Sequence, residues 1–267
     1  MTKDKFYNLV LKFYLFFIFV FIFTPIAFSI IFSFNSQRFP TIPLGNFSLE
    51  WYIKIFNDAE IWQAAINSVI VSSITCLIAT FLGFCTAYSD YRYRFKFKGI
   101  YLALVLLPPT IPLIILALAM LAWLSKIGMS GQLWSIICAH SVLTAPFAMA
   151  IIRLRLNQMD PDLEAASWNL GGSEWATMRN VILPYCRPAI ISSLCLTAAV
   201  SFDEFAISWF VSGLNKTVPV IILEIVQGNI DPQVNAIGTF VFFTSITLVI
   251  MAQIFFLTWQ MKGKSNK

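Results

Sequence analysis

The chain has 267 residues, of which 58% are hydrophobic and only 12% are charged. A water-soluble domain carries about a quarter charged residues, so this composition excludes one. The net charge of +5 at pH 7 does not indicate nucleic-acid binding, because the basic residues cluster between apolar runs. All five cysteines lie in or beside those runs, which favours small packing residues over disulfides.

Long uncharged runs divide the chain into six apolar stretches, and a helix needs about 20 such residues to cross a bilayer. The fifth stretch in chain order differs from the others in containing two adjacent acids, Asp203 and Glu204. The sequence therefore predicts an all-α, multi-pass membrane protein with a single transmembrane domain over residues 1–267. The predicted spans occupy about residues 13–34, 63–89, 99–125, 132–152, 188–212 and 234–260.

The distribution of lysine and arginine predicts the orientation. If the spans alternate, 14 basic residues fall on the side of both termini and only four on the other. Basic residues accumulate in cytoplasmic loops, so both termini and the loop between spans four and five are predicted to be cytoplasmic. The four on the external side are Arg38, Lys54, Lys126 and Lys216.

Three features stand out along the first four spans. The external segment 35–60 starts with prolines and a glycine and ends with aromatic residues, which predicts a loop and a short amphipathic surface helix. Pro108, Pro109 and Pro112 must break or kink span three, either beside a pathway or simply for packing. His140 in span four is expected to be a hydrogen-bonded packing residue, the alternative being a proton relay.

Residues 160–184 form a polar interruption that predicts helix, glycine turn and helix. Asp160 and Ser173 suit helix N-caps, and the pair Gly171-Gly172 suits a left-handed stop. Pro184 is expected to end the second helix. The segment is too polar to cross a bilayer, so it should lie flat at the membrane surface with a partner docked on it.

This segment resembles the cytoplasmic coupling loop of ABC importer permeases. The family pattern has Glu-Ala-Ala, three residues, Gly, nine residues and Ile-x-Leu-Pro, and here Gly171 is followed at the right distance by 181–184. Glu164 lies one residue too far from Gly171, so either one residue is inserted or Ala165 occupies the family's glutamate position. A generic interfacial helix is the alternative. By resemblance, the residues that couple to an ATPase are Glu164, Ala165, Ala166, Leu170, Gly171, Val181, Leu183 and Pro184.

The chain carries no complete motif for ATP binding, metal binding or nucleophilic catalysis. Gly263-Lys264-Ser265 imitates the end of a phosphate-binding loop, but position 258 is Thr rather than the required Gly. The chain is therefore not expected to be an enzyme or to hold a cofactor, and any energy must arrive through a partner.

Asp203 and Glu204 are the main candidates for a substrate path. Carboxylates inside a membrane helix cost a few kcal/mol each, so they indicate function. Phe205 and Trp209 place aromatic faces nearby, and carboxylates beside aromatic rings suit an ammonium ligand. The alternatives are an ion pair with a partner subunit or a protonated carboxyl group in packing.

The stretch from Phe202 to Gly213 also resembles the fifth helix of spermidine/putrescine-type permeases, as do 218–220 and the start of span six at 232–236. The resemblance implies one of two membrane subunits of a bacterial inner-membrane importer. It also implies a second permease, an ATPase pair that binds ATP, and an external solute-binding protein. The alternatives are the same architecture for an amino-acid-like or quaternary-amine solute, or an ion-coupled secondary transporter.

Overall fold

The computed structural model describes residues 3–37, 43–228 and 232–247, and its regular elements are all helical. This confirms the predicted all-α membrane class. Four helices in the described residues are long and apolar enough to cross a bilayer, and each overlaps one predicted span. They are Tyr7–Ser33, Ala59–Arg92, Leu133–Leu156 and Glu174–Asp203.

One compact unit comprises residues 1–59 and 222–267. It contains α1 (Lys3–Ser33), α2 (Glu50–Asn57) and a helix over residues 233–247. The short helix α2 is the surface helix expected in segment 35–60, and Ser33 Oγ lies 2.7 Å from the Tyr52 hydroxyl. The predicted remainder of span six, 248–260, and the basic tail lie outside the described residues.

The other compact unit comprises residues 60–221 and contains both predicted sites. A long helix, α3, begins just before this unit, and α11 starts within it. The helices are α3 (Ala59–Arg92), α4 (Lys98–Leu106), α5 (Leu113–Lys126), α6 (Leu133–Leu156), α7 (Asp162–Asn169), α8 (Glu174–Thr177), α9 (Leu183–Asp203), α10 (Ala206–Val211) and α11 (Val218–Gly228).

The three prolines of predicted span three break it into two short helices, as expected. Pro108–Thr110 forms one 3₁₀ turn, and Ile111 and Pro112 are extended. The Thr110 hydroxyl donates to the Leu107 carbonyl at 2.7 Å, so a side chain within the break supplies a hydrogen-bond donor to a backbone carbonyl of the break. Such internal hydrogen bonds are needed where no water reaches the backbone.

The helix after the glycine turn does not end at Pro184, contrary to the prediction. The chain stays helical from Glu174 to Asp203, with a π-helical turn at Met178–Ile182 directly before the proline. The π turn changes the hydrogen-bond spacing just before Leu183 and Pro184, and the helix passes the proline without ending. The fifth membrane helix therefore begins 14 residues earlier than the predicted start at 188.

Gly83 sets the closest approach between α3 and α6. A Cβ atom at this position would lie 2.6 Å from the Met149 backbone nitrogen and 2.7 Å from the Ala148 Cβ. Only a residue without a side chain fits at that distance, as in other close helix crossings in membranes.

We expect Gly83→Ala to destabilise the protein, because the added methyl group forces the two helices apart. Overpacking of this kind costs about 1–3 kcal/mol, which corresponds to a melting temperature lower by roughly 3 °C or more. Thermal unfolding of the purified chain in detergent measures the effect. Gly99→Ala is the matched control, since nothing lies within 4 Å of its Cβ position. Equal melting temperatures for the two variants would contradict the packing argument.

Candidate functional site

The fifth membrane helix breaks at Glu204, within the predicted substrate path. The helix α9 ends at Asp203, and Glu204 takes an extended backbone conformation with ψ of 114°. Its buried carboxylate turns back to cap α10. It accepts hydrogen bonds from the backbone N–H groups of Ala206, Ile207 and Ser208 at 3.0, 2.8 and 3.2 Å. A carboxylate at a helix N-terminus also complements the helix dipole.

His140 joins this cap from α6. Its Nε2 lies 3.0 Å from Ser208 Oγ and 3.4 Å from Glu204 Oε2, and its Nδ1 lies 2.9 Å from Ser201 Oγ. Because the Ser208 hydroxyl donates to the Glu204 carbonyl, it accepts from Nε2–H. The Nδ1 side of the ring is occupied by the Ser201 hydroxyl. The fully buried His140 is a hydrogen-bonded packing residue, with partners that its own helix could not reveal.

The structure separates the two neighbouring carboxylates. The prediction placed both on one continuous helix, which is wrong because the helix breaks between them. Asp203 is exposed, whereas Glu204 is 7% exposed and fully engaged in the cap. Phe205 and Trp209 are also exposed and lie one turn apart, since the Trp209 N–H donates to the Phe205 carbonyl at 2.8 Å. The exposed groups at the break are therefore Asp203 and these two rings.

The segment 160–184 has the predicted helix–glycine turn–helix form. The Asp160 carboxylate accepts from the Asp162 N–H at 3.0 Å, and the Ser173 hydroxyl accepts from the Ala176 N–H at 3.2 Å. Between the two helices, Gly171 adopts a left-handed conformation with φ of +82°. A side chain there would be strained, which explains the glycine in the motif.

Several of the exposed side chains on this loop are apolar. Leu170 is 89% exposed and Trp175 is 72% exposed, with Ala165, Ala166 and Gly171 exposed beside them in sequence. Pro184 is exposed as well, whereas Val181 and Leu183 are half-buried. Sequence reasoning missed Trp175, although an aromatic residue in a polar surface loop was a usable signal. Exposed side chains of this kind indicate a docking surface.

Glu164 faces the other way. It is 4% exposed, and its Oε2 lies 3.9 Å from Arg92 at the end of α3. The Arg92 guanidinium also lies 4.7 Å from the Trp168 ring centre. The resemblance grouped Glu164 with the docking residues, but the structure places it where the loop contacts α3.

Two further groups of contacts involve the helix ends beside the loop. Asp90, which the sequence analysis missed, is buried with Lys98 Nζ at 3.0 Å and Arg153 Nε at 2.5 Å, and so joins the ends of α3, α4 and α6. An apolar cluster packs beneath the loop. Its buried members are Ala87, Met149, Ile152, Leu156, Met159, Ile182, Cys186 and Ala189.

Bilayer-length helices, a polar break and an anchored surface helix–turn–helix define the membrane-embedded subunit of a transport system. The chain belongs to the family of binding-protein-dependent transport system inner membrane components, whose model matches residues 79–261. Both the surface loop and the helix break lie within the matched region.

Individual relatives cover nearly the whole chain. It is 33% identical to the spermidine/putrescine transport system permease protein PotC of Haemophilus influenzae, over 90% of this chain and 94% of that protein. It is 31% identical to the protein of the same name from Escherichia coli, over 89% of this chain and 90% of that protein. The fold matches a bacterial ABC transporter involved in alginate import with a TM-score of 0.74, covering 96% and 98% of the two chains at 15% identity.

We expect Glu204→Gln to lower the melting temperature, whereas Asp203→Asn leaves it within about 1 °C of the unsubstituted chain. Glutamine retains one acceptor oxygen, and its amide nitrogen would face backbone N–H groups. Hydrogen bonds to a charged group contribute about 1.5–3 kcal/mol, which the exposed Asp203 does not supply. Thermal unfolding of the purified chain in detergent compares the two. A Glu204→Gln variant as stable as Asp203→Asn would show that the cap does not hold the break.

Proposed function

We propose that the chain is a permease subunit of an ATP-driven ABC importer that moves polyamines such as spermidine and putrescine across a bacterial inner membrane. The similarity to spermidine/putrescine permeases over about nine tenths of the chain carries the proposal. An exposed carboxylate beside two exposed aromatic rings supports a cationic amine as the solute, by charge pairing and cation–π contact.

The proposed topology has six spans with both termini and residues 160–184 in the cytoplasm. Three observations support it: the 14-to-4 bias of basic residues, the four bilayer-length helices, and the break of span three into α4 and α5. The two pieces of that span are apolar and jointly long enough to cross a bilayer.

The proposed partners follow from this role. A dimeric ATPase binds and hydrolyses ATP and docks on the outer surface of the 160–184 loop. A second permease completes the membrane pathway, and an external solute-binding protein delivers the solute. No cofactor is proposed for this chain itself.

Movement of the ATPase would reach the membrane helices through the inner side of the loop. Glu164 contacts Arg92 on α3, and the cluster around Leu156 and Ile182 packs the loop against α6. Because these contacts are buried, the loop and the two helix ends would move as one body. Such rigid-body motion would open the solute pathway to one side of the membrane and then to the other.

Within the pathway, Asp203 would meet an ammonium group of the solute. Phe205 and Trp209 would contact the same cation or the methylene chain of a polyamine. Glu204 would hold the break and so fix the direction of these groups, rather than bind the solute itself.

We expect Leu170→Asp to abolish transport without unfolding the membrane helices, because it places a charge on the most exposed apolar residue of the loop. The measurements are co-purification of the ATPase and uptake, at equal levels of chain in the membrane. Gln158→Glu adds a charge at an exposed position just before the loop and should change neither. Normal uptake by Leu170→Asp would contradict docking at this surface.

We expect Asp203→Asn to reduce uptake of labelled spermidine or putrescine about tenfold or more, with the complex still assembled. Loss of one charge-assisted contact of about 1.5–3 kcal/mol gives a change of that size. Glu50→Gln removes an exposed carboxylate from α2 and serves as the control.

A panel of other amines, run on the reconstituted complex, separates substrate from architecture. If the unsubstituted complex transports a different solute and no polyamine, the substrate assignment is wrong and the importer role stands. If Asp203→Asn transports polyamines at the normal rate, Asp203 is not on the solute path.

A further inference from the structure

The connection between α3 and α4 alternates strictly between aromatic and basic residues. Residues 91–98 read Tyr-Arg-Tyr-Arg-Phe-Lys-Phe-Lys. A run of charges is usually just a solvated surface, and the transport role proposed above uses only the two basic residues at its ends. The middle of the run, residues 93–97, is called here the aromatic-basic loop.

The structure divides this run by function. Arg92 contacts Glu164, and Lys98 pairs with Asp90, so both charges are used inside the protein. Arg94 and Lys96 are exposed, and within the described part of the chain neither forms an ion pair with a carboxylate. The Lys96 ammonium lies 5.4 Å from the centre of the Phe97 ring. Two cations are therefore presented outward.

The aromatic residues of the loop are exposed as well. Tyr93, Phe95 and Phe97 are 53%, 43% and 66% exposed. Three exposed rings so close in sequence are unfavourable in water, because moving each ring out of water would lower the free energy. An interface that is partly apolar and partly wet suits them better.

The backbone and ring contacts hold the loop in one shape. Phe97 adopts a left-handed conformation with φ of 69°, although it is not glycine, and its carbonyl accepts from the Tyr101 N–H at 3.0 Å. The Phe95 ring packs edge-on against Tyr101 at 5.6 Å, and Lys98 donates to the Tyr93 carbonyl at 3.3 Å. Strain of this kind persists only where surrounding contacts impose it, and it is concentrated at functional sites.

The exposed rings continue an apolar strip on α4. Phe97, Ile100 and Leu104 follow one another at helical spacing and are 66%, 58% and 63% exposed. In a membrane-spanning segment such a strip faces lipid, so its end at Phe97 marks the edge of the hydrocarbon. Arg94 and Lys96 then lie at the depth of the lipid headgroups, where anionic phosphates are available.

We propose that the aromatic-basic loop is a binding surface for anionic phospholipid headgroups. Arg94 and Lys96 bind the phosphate groups, and Tyr93, Phe95 and Phe97 insert at the boundary of the headgroups and the acyl chains. The ATPase is the competing occupant. Two observations favour lipid over the ATPase. The rings continue the lipid-facing strip of α4, and the 160–184 loop already presents separate exposed apolar residues for the ATPase.

The test titrates the purified full chain, delipidated in a neutral detergent, with phosphatidylglycerol and with phosphatidylcholine. Native mass spectrometry counts the bound lipids. The unsubstituted chain should bind phosphatidylglycerol in preference to phosphatidylcholine. Arg94→Gln/Lys96→Gln should weaken phosphatidylglycerol binding about ten- to thirty-fold, since a basic residue near an anionic surface contributes about 1 kcal/mol. Its phosphatidylcholine binding should be unchanged.

Two further variants separate this surface from general charge. Lys12→Gln/Arg179→Gln also removes two exposed basic residues, both predicted to be cytoplasmic, and should bind phosphatidylglycerol at near normal affinity. Arg94→Lys keeps the charge and should do the same. Equal losses in the two double variants would overturn the proposal. So would normal lipid binding by Arg94→Gln/Lys96→Gln together with loss of ATPase co-purification, which would assign the loop to the ATPase.

Discussion

The capping of α10 by the Glu204 carboxylate is the interaction on which the described membrane core depends. A bilayer offers no hydrogen-bond partners, so a helix that breaks inside it must satisfy its freed N–H groups from within the protein. Glu204 does this for three of them, and His140 fixes the cap from the neighbouring helix. Asp203, Phe205 and Trp209 are exposed around the break.

Buried acids play the same structural part at the end of α3. Asp90 gathers Lys98 and Arg153, and Glu164 reaches Arg92 from the surface loop. A charge buried without a partner costs several kcal/mol, so these pairs resist separation even where they add little net stability. These ion pairs connect the ends of α3, α4 and α6 with the helix α7. Such connections suit the transmission of force better than the binding of a solute.

Each of the two candidate sites therefore combines a buried carboxylate that contacts other parts of the chain with side chains that are exposed. Glu204 holds the break and Asp203 is exposed beside it. Glu164 holds the loop, and Leu170 with Trp175 is exposed on its outer side. At the break, the neighbouring carboxylates of Asp203 and Glu204 differ in exposure because the backbone changes direction between them.

The sequence by itself determined the features that depend on local chemistry. Uncharged length predicted the membrane helices, the prolines predicted the break of span three, and Gly171 between two capped helices predicted the surface turn. It did not determine the roles of Glu204 and Glu164, or the passage of a helix through Pro184. Those depend on partners distant in the chain and on a π turn that has no sequence rule; His140 and Ser208, for example, are 68 residues apart. Only the tertiary structure brings such groups within hydrogen-bonding distance, and burial then decides whether a carboxylate is bound inside the fold or left exposed.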